Sequence, residues 1–297
     1  MARKWKQRQA GSNRGEFGPD DQLGRLNYLT QENTLKAARE IRTGKRFCLS
    51  LPLNVPTTNA TNARRHPPEL RPIVRDGKIA FNLALDEVDP GNTQVNSDEA
   101  VLLYSQYSTQ WDSFGHMGAL FDADGDGVAE AVQYNGHSLL NENRKPRYGE
   151  VGAWNLGIEN MARHCVQGRG VMLNMKRRFG EASRPVGYDD VMRLLDADGI
   201  EIEPGDIVCC YTGYADKLLE LGDDVPADLP RTHCPAFDGR DEKLLQWIDE
   251  WGMAVLVSDN RAVEFEHTGL PDGVARGPGL AIHELCLFKL GIHLGEM

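Results

Sequence analysis

The second half of the chain alternates between segments of helical and of strand periodicity, and this alternation constrains the fold more than any other feature. Apolar residues spaced for one helix face mark Ile158–Cys165, Tyr188–Asp196, Glu242–Trp251 and Leu280–Lys289. Between them, short runs rich in Val, Ile, Cys and Met predict strands at Gly170–Met175, Asp206–Tyr211 and Met253–Ser258. That order predicts a mixed α/β (α+β) domain, with a central mixed or barrel-like sheet flanked by helices.

The first half is less regular. Thr30 can cap a helix running through Leu35, Ala38 and Ile41 to a stop at Gly44, and Phe47–Leu53 reads as a strand. Residues 54–78 hold four prolines and several Asn and Thr, so a long loop is expected, of the kind that often carries function. Ile79–Leu85 and Ala100–Tyr107 read as strands, placing the segment Gln106–His116 at a strand end. With no internal repeat and no biased linker, residues 16–297 are expected to form one domain. Residues 1–15 are basic and lack an apolar stretch, which predicts a solvated, partly mobile tail rather than a secretory signal.

The net charge of −11 opposes general binding to nucleic acid or to an anionic membrane, since phosphates are held by clustered Lys and Arg. A small-molecule substrate or a metal ion suits that balance. Six cysteines without a Cys-x-x-Cys pair form neither a dense disulfide framework nor a structural zinc site, so a reducing cytoplasm is the expected compartment. Cys209 and Cys210 lie within a strand pattern and are expected to be core residues. The chain has no Gly-x-Ser-x-Gly elbow and no phosphate-binding loop, and so lacks the usual marks of serine-hydrolase and nucleotide chemistry.

Two adjoining stretches offer metal ligands. In the first, Asp122, Asp124, Asp126 and Gly127 match the opening of a calcium loop, but Gln133 stands where a bidentate Glu should close the shell. A solvated acidic turn is therefore expected. In the second, Asp112 and His116 are four residues apart; both types ligate zinc or manganese, and both also serve in acid–base catalysis or as hydrogen-bonded structural groups. The spacing alone leaves these open.

The segment Gln106-Tyr-Ser-Thr-Gln-Trp-Asp-Ser-Phe-Gly-His116 resembles the signature His-x-Gly-Thr-His-x-Asp-x-Pro-x-His of the cyclase family of metal-dependent hydrolases. Further stretches are similar to its longer branch: Gly18-Pro-Asp-Asp-Gln-Leu-Gly-Arg-Leu-Asn, Gly168-Arg-Gly-Val-Met-Leu, Pro204-Gly-Asp-Ile-Val, Tyr211-Thr-Gly-Tyr, Ser258-Asp-Asn-Arg-Ala-Val-Glu264 and His283 through Glu296. The resemblance implies a swivelling β/β/α fold, a divalent zinc or manganese ion, hydrolysis of a lactone, lactam or formamide, and a homodimer or larger homo-oligomer. It implies metal ligation by Asp112, His283 and Glu296 and acid–base work by His116. Gln106 and Gln110 replace two family histidines, Ser108 replaces Gly and Phe114 replaces Pro; the two glutamines offer only amide oxygens, which weakens a first metal position and lowers preference for softer ions.

Trp111 and Phe114, with Phe121, are candidates for an apolar wall against a flat substrate, and equally for core packing. His137 is a candidate for the same cleft or a structural residue, as are His233 and His267. Glu264 either orients a ligand histidine or is solvent-exposed. Glu296, next to Met297, needs packing or a partner subunit to hold it as a ligand. A second reading, a binding protein with a degenerate metal site, follows if the two glutamines abolish metal affinity.

Overall fold

Five strands form the central sheet of the computed structural model, which describes residues 6–139 and 151–296. Their order is Gly170–Asn174, Ile207–Tyr211, Val255–Ser258, His293–Glu296, Gln110–Asp112. The first four run parallel and the last is antiparallel. The mixed, helix-flanked sheet is the architecture that the alternation predicts, and the strand runs at Gly170, Asp206 and Met253 each lie within a residue or two of the observed ones.

Side-chain alternation gives the sheet one fully buried face and a second that is covered over its middle strands and open at Met172 and Trp111. One face carries Leu173, Val208, Leu256 and Leu294 into the main core, against Val191, Leu194 and Leu195 of the Tyr188–Asp198 helix and Leu244, Trp247 and Ile248 of the Glu242–Glu250 helix. On the other face, Val255 and the partly buried Ile207 and Val257 pack with Leu26, Leu29 and Met161. Asp241 caps the Glu242–Glu250 helix by accepting from the Lys243 and Leu244 amides, which fixes where that helix starts. The chain is helical from Ala281 to Leu290, in π-helical geometry over Glu284–Leu290, and ends at Gly291 in left-handed conformation. No helix among the described residues is long and apolar enough to cross a membrane.

Several expectations from the first half are corrected. Phe47–Leu53 is not a strand: it has no pairing partner, and Phe47 and Leu49 are both 77% exposed. The end of the expected 54–78 loop is instead paired, with Glu69–Pro72 against Glu99–Leu102 and Val74–Arg75 against Lys78–Ile79. The single strand expected over Ile79–Leu85 is broken at Asn82, whose φ of 52° reverses the chain, so only Lys78–Ile79 and Leu83–Ala84 pair. Pairing of the next strand stops at Leu102, and the Gln106–His116 segment supplies a sheet strand of its own rather than following one. The helix capped by Thr30 covers only Gln31–Ala38.

The basic terminus also departs from expectation. Residues 1–5 lie outside the described residues; of the rest, the Lys6 and Gln7 amides donate to the Ala123 carbonyl, and Ser12 and Asn13 are buried, with the Asn13 amide and side chain bonded to Lys289 and Leu290 carbonyls. Backbone hydrogen-bonding capacity, which charge counting ignores, holds this segment to the domain.

Behind it, Gly24 and Gly291 touch. A Cβ on Gly24 would lie 2.1 Å from the Gly291 carbonyl oxygen, and the φ of +58° at Gly24 is itself unfavourable for any other residue. The Arg25 amide donates to that same carbonyl at 2.6 Å. Gly24→Ala is therefore expected to destabilise the fold by about 3 kcal/mol or more, read as a lowered urea midpoint at unchanged slope.

Candidate metal centre

Gln110 and Asp112 occupy alternate positions of one strand, directly opposite Glu296 and Leu294 of the next, so Gln110, Asp112 and Glu296 project from the same face. Leu294 on that face enters the main core, toward the 281–290 helix that delivers His283. Immediately after Asp112 the chain turns, with the His116 amide donating to the Ser113 carbonyl at 2.9 Å, and this turn brings His116 back over the strand end. A four-residue spacing that would separate two side chains along a strand thus brings them together.

Asp112, His116 and His283 each place one ligand atom within 4.8 Å of the other two. His283 Nε2 lies 3.2 Å from Glu296 Oε1 and 3.8 Å from Asp112 Oδ2; His116 Nε2 lies 4.0 Å from the same Asp112 oxygen. Glu296, rather than fraying, is buried in the sheet interior between two neighbouring strands. Its other oxygen accepts a 2.8 Å hydrogen bond from the Gln110 amide nitrogen, so Gln110 steadies Glu296 and keeps its own oxygen.

The remaining atoms carry the fit to a cation. Both Asp112 oxygens and Gln110 Oε1 are buried without a hydrogen-bond donor. A fully buried carboxylate with no donor is costly unless a positive charge faces it. Burial alone would lower the His283 pKa, but the hydrogen bonds and charges of Glu264 and Glu296 override it and hold it up at about 10. A donor set of carboxylate and amide oxygens with the His283 imidazole nitrogen fits a divalent ion.

Glu264 resolves toward the positioning alternative. It is buried, and Oε1 accepts from the His283 backbone amide and lies 2.9 Å from His283 Nδ1, while Oε2 accepts from the Ile282 amide. One carboxylate thereby caps the first turn of the 281–290 helix and fixes the imidazole with Nε2 facing Asp112. Glu264→Gln keeps the shape and removes the charge; metal affinity is expected to fall by about 10–100-fold, measured by calorimetric titration with manganese.

Two of the aromatic candidates, Trp111 and Phe114, lie away from the metal group. Trp111 alternates with Asp112 and so faces the opposite side of the sheet, where its ring lies over Gly295, about 3 Å from where a Cβ would stand. Phe114 is wholly buried, stacked on His293 at 4.0 Å between ring centroids and tilted against Tyr134 at 4.6 Å. It belongs to the core. His137 Nε2 lies 3.2 Å from the Asp21 carbonyl, which ties it to the Gly18–Asn27 turn region, and His267 pairs with Asp238 at 2.7 Å. Gln106 is joined through its backbone carbonyl, which accepts from Arg65, and its side-chain oxygen is buried without a donor.

Two residues were not singled out by sequence. His293, inside the C-terminal stretch, approaches the Asp112 carbonyl with Nδ1 at 2.8 Å; since a carbonyl only accepts, Nδ1 carries the proton, and burial lowers the pKa to about 4. It braces the strand under Asp112. Arg65, from the loop flagged as functional, places its guanidinium close enough to Asp112 and Glu296 to interact electrostatically with both.

The acidic run is a turn. It joins the antiparallel strands Ala119–Phe121 and Glu130–Val132, and the Asp122 carboxylate accepts from the Gly125, Asp126 and Gly127 amides at 2.7–3.1 Å. Elsewhere, two stretches quoted for the resemblance meet: Asp259, beyond one parallel strand, accepts from the Thr212 hydroxyl and from the Gly213 amide beyond its neighbour. These contacts tie the carboxyl ends of adjacent strands together, the end of the sheet where Glu296 and Gln110 sit.

A family model described as "Putative cyclase" matches residues 48–265. A solved structure described as a novel cyclase is 27% identical with a TM-score of 0.68, the match covering 96% of this chain and 84% of that one. Isatin hydrolase A from Labrenzia aggregata, solved with benzyl benzoate, is 11% identical with a TM-score of 0.44, over 86% of this chain and 76% of its own. Among curated proteins none matches the chain.

Proposed function

The chain belongs to the cyclase family, and from that premise we propose that it is a metal-dependent hydrolase that opens a C–O or C–N bond beside a carbonyl in a small cyclic or aromatic substrate, such as a lactone, lactam or formamide. The observation that carries this reading is the convergence of Asp112, His283 and Glu296, all buried, with both Asp112 oxygens lacking donors, beside a His116 side chain that remains 25% exposed. His116 is the member of the group that a substrate can reach.

Asp112, His283 and Glu296 would hold the ion, manganese or zinc, with the Gln110 oxygen as a further neutral donor. When bound, a divalent ion supplies Lewis acidity, polarising the carbonyl and easing deprotonation of water. His116, at the open side, takes a proton from the attacking water as the new C–O bond forms. It returns that proton to the departing nitrogen or oxygen as the old bond breaks, so the side chain ends unchanged. Burial, opposed by Asp112, lowers its pKa, which keeps the ring neutral and able to accept the proton at pH 7. Glu264 orients His283 and takes no proton from substrate.

The test is hydrolysis of a panel of lactones, lactams and aryl formamides by manganese-loaded protein. The reading expects turnover of at least one member that chelator removes and manganese restores. A chelator-insensitive rate would contradict metal dependence, and no turnover with any member despite bound metal favours a binding protein of the same fold.

A further inference from the structure

Residues 51–65 are laced along the segment that leads into the metal centre. The Leu51 amide donates to Thr109 Oγ1 at 2.8 Å, the Ser108 hydroxyl to the Pro52 carbonyl at 2.9 Å and the Tyr107 hydroxyl to the Thr58 carbonyl at 3.0 Å. Leu51 and Val55 also pack with Tyr214, Leu218 and Cys234 in a small core of their own, which seats the loop against the Tyr214–Leu221 helix. These contacts fix where the loop delivers its last side chain, Arg65, whose guanidinium donates to the Gln106 carbonyl at 2.6 Å.

One bond uses little of a guanidinium, which has five N–H donors in a planar fork. Among the described residues the half-buried Arg65 side chain makes no other hydrogen bond and no ion pair. Its charge reaches Glu296, Asp112 and His116 through space, and also a second cation, Arg261. Arg261 pairs with Glu266 by a terminal nitrogen, but its Nε is buried without an acceptor. Two guanidiniums held near each other repel, and donors left unused in a part-buried site cost free energy. A divalent ion held by Asp112 and Glu296 matches both of their charges, which leaves Arg65 with no opposite charge to face. An anion with two coplanar oxygens meets all three conditions, because a carboxylate accepts a guanidinium fork through parallel N–H bonds.

We propose that Arg65, assisted by Arg261, binds a carboxylate of the substrate on the open side of the centre, beside His116. The favoured substrates are then small lactones, lactams or formamides that carry an acid group close to the bond that opens. The reaction in this statement rests on the hydrolase reading; the carboxylate binding does not.

Titration calorimetry on the full chain equilibrated with manganese tests it, with three carboxylates and their neutral counterparts as probes: acetate and acetamide, benzoate and benzamide, ortho-formamidobenzoate and formanilide. At least one carboxylate is expected to bind about 10-fold or more tighter than its neutral partner. Arg65→Gln is expected to remove that preference at unchanged metal content, and Arg65→Lys, which keeps the charge but loses the fork, to restore part of it. A carboxylate that sits on the ion alone would keep its preference in Arg65→Gln and overturn the inference, as would equal binding of every pair by the wild type. Should Arg65→Gln fail to fold, phenylglyoxal labelling of the wild type decides: the preferred carboxylate, and not its neutral partner, shields Arg65 if the inference holds, and equal labelling with both overturns it. Turnover of neutral panel members without any carboxylate preference overturns this inference and leaves the hydrolase reading intact. An Arg65-dependent preference in a manganese-loaded chain without turnover supports the inference and removes that reading.

Discussion

Asp112→Ala is expected to abolish both retained metal and turnover while leaving the fold intact. Asp112 is fully buried, and its oxygens face His283 and His116 with no donor of their own. Removing it takes away the carboxylate nearest both imidazoles, so the loss of metal affinity should exceed the roughly 10–100-fold that a residue merely orienting a ligand carries. Stability should move the other way or little, because deleting a buried charge that lacks donors removes a desolvation cost. The measurements are metal content after desalting and a urea melt. Loss of metal with an unfolded chain would make Asp112 structural; full metal retention would exclude it as a ligand.

His116→Ala separates chemistry from binding. As the exposed member of the group, His116 is assigned proton transfer rather than ligation, so the variant is expected to keep its ion and lose about 10²–10⁴ in turnover number. Manganese titration should give nearly the wild-type affinity. If affinity falls together with rate, His116 is a ligand and the proton carrier lies elsewhere; if neither changes, the assignment to the reaction fails.

How much of this was legible beforehand depended on which physical signal each part carries. The alternation after Ile158 located the helices and parallel strands because one buried and one largely covered sheet face leave apolar runs. The two strands that build the site, Gln110–Asp112 and His293–Glu296, are short and carry Gln, Asp, His and Glu, with a glycine in one. A functional strand written in polar residues has no hydrophobic period to read, and family resemblance located it where periodicity did not. The family model itself stops at residue 265, before His283 and Glu296.

Trp111 and Phe114 point away from the metal group for different reasons. Trp111 is put on the sheet face opposite Asp112 by the two-residue period of their strand, a rule usable only once the segment is known to be a strand. Phe114 is held in the core by His293, a partner almost 180 residues away whose ring it covers. Glu264 shows the reverse: its role depends on the helix starting at Ala281, and no local pattern around residue 264 announces that capping contact. Ile79–Leu85 and Ala100–Tyr107 were read as strands from the same apolar content, but Asn82 breaks the first, pairing in the second stops at Leu102, and Ile79 and Val101 stay exposed.

The most direct test of the metal assignment is the ion content of the intact wild-type chain after loading with manganese, desalting and elemental analysis, run beside Asp112→Ala. The centre described here predicts about one tightly held divalent ion per folded wild-type chain and none in the variant. A folded wild-type chain that retains no divalent ion, or a variant that retains as much as the wild type, would contradict it.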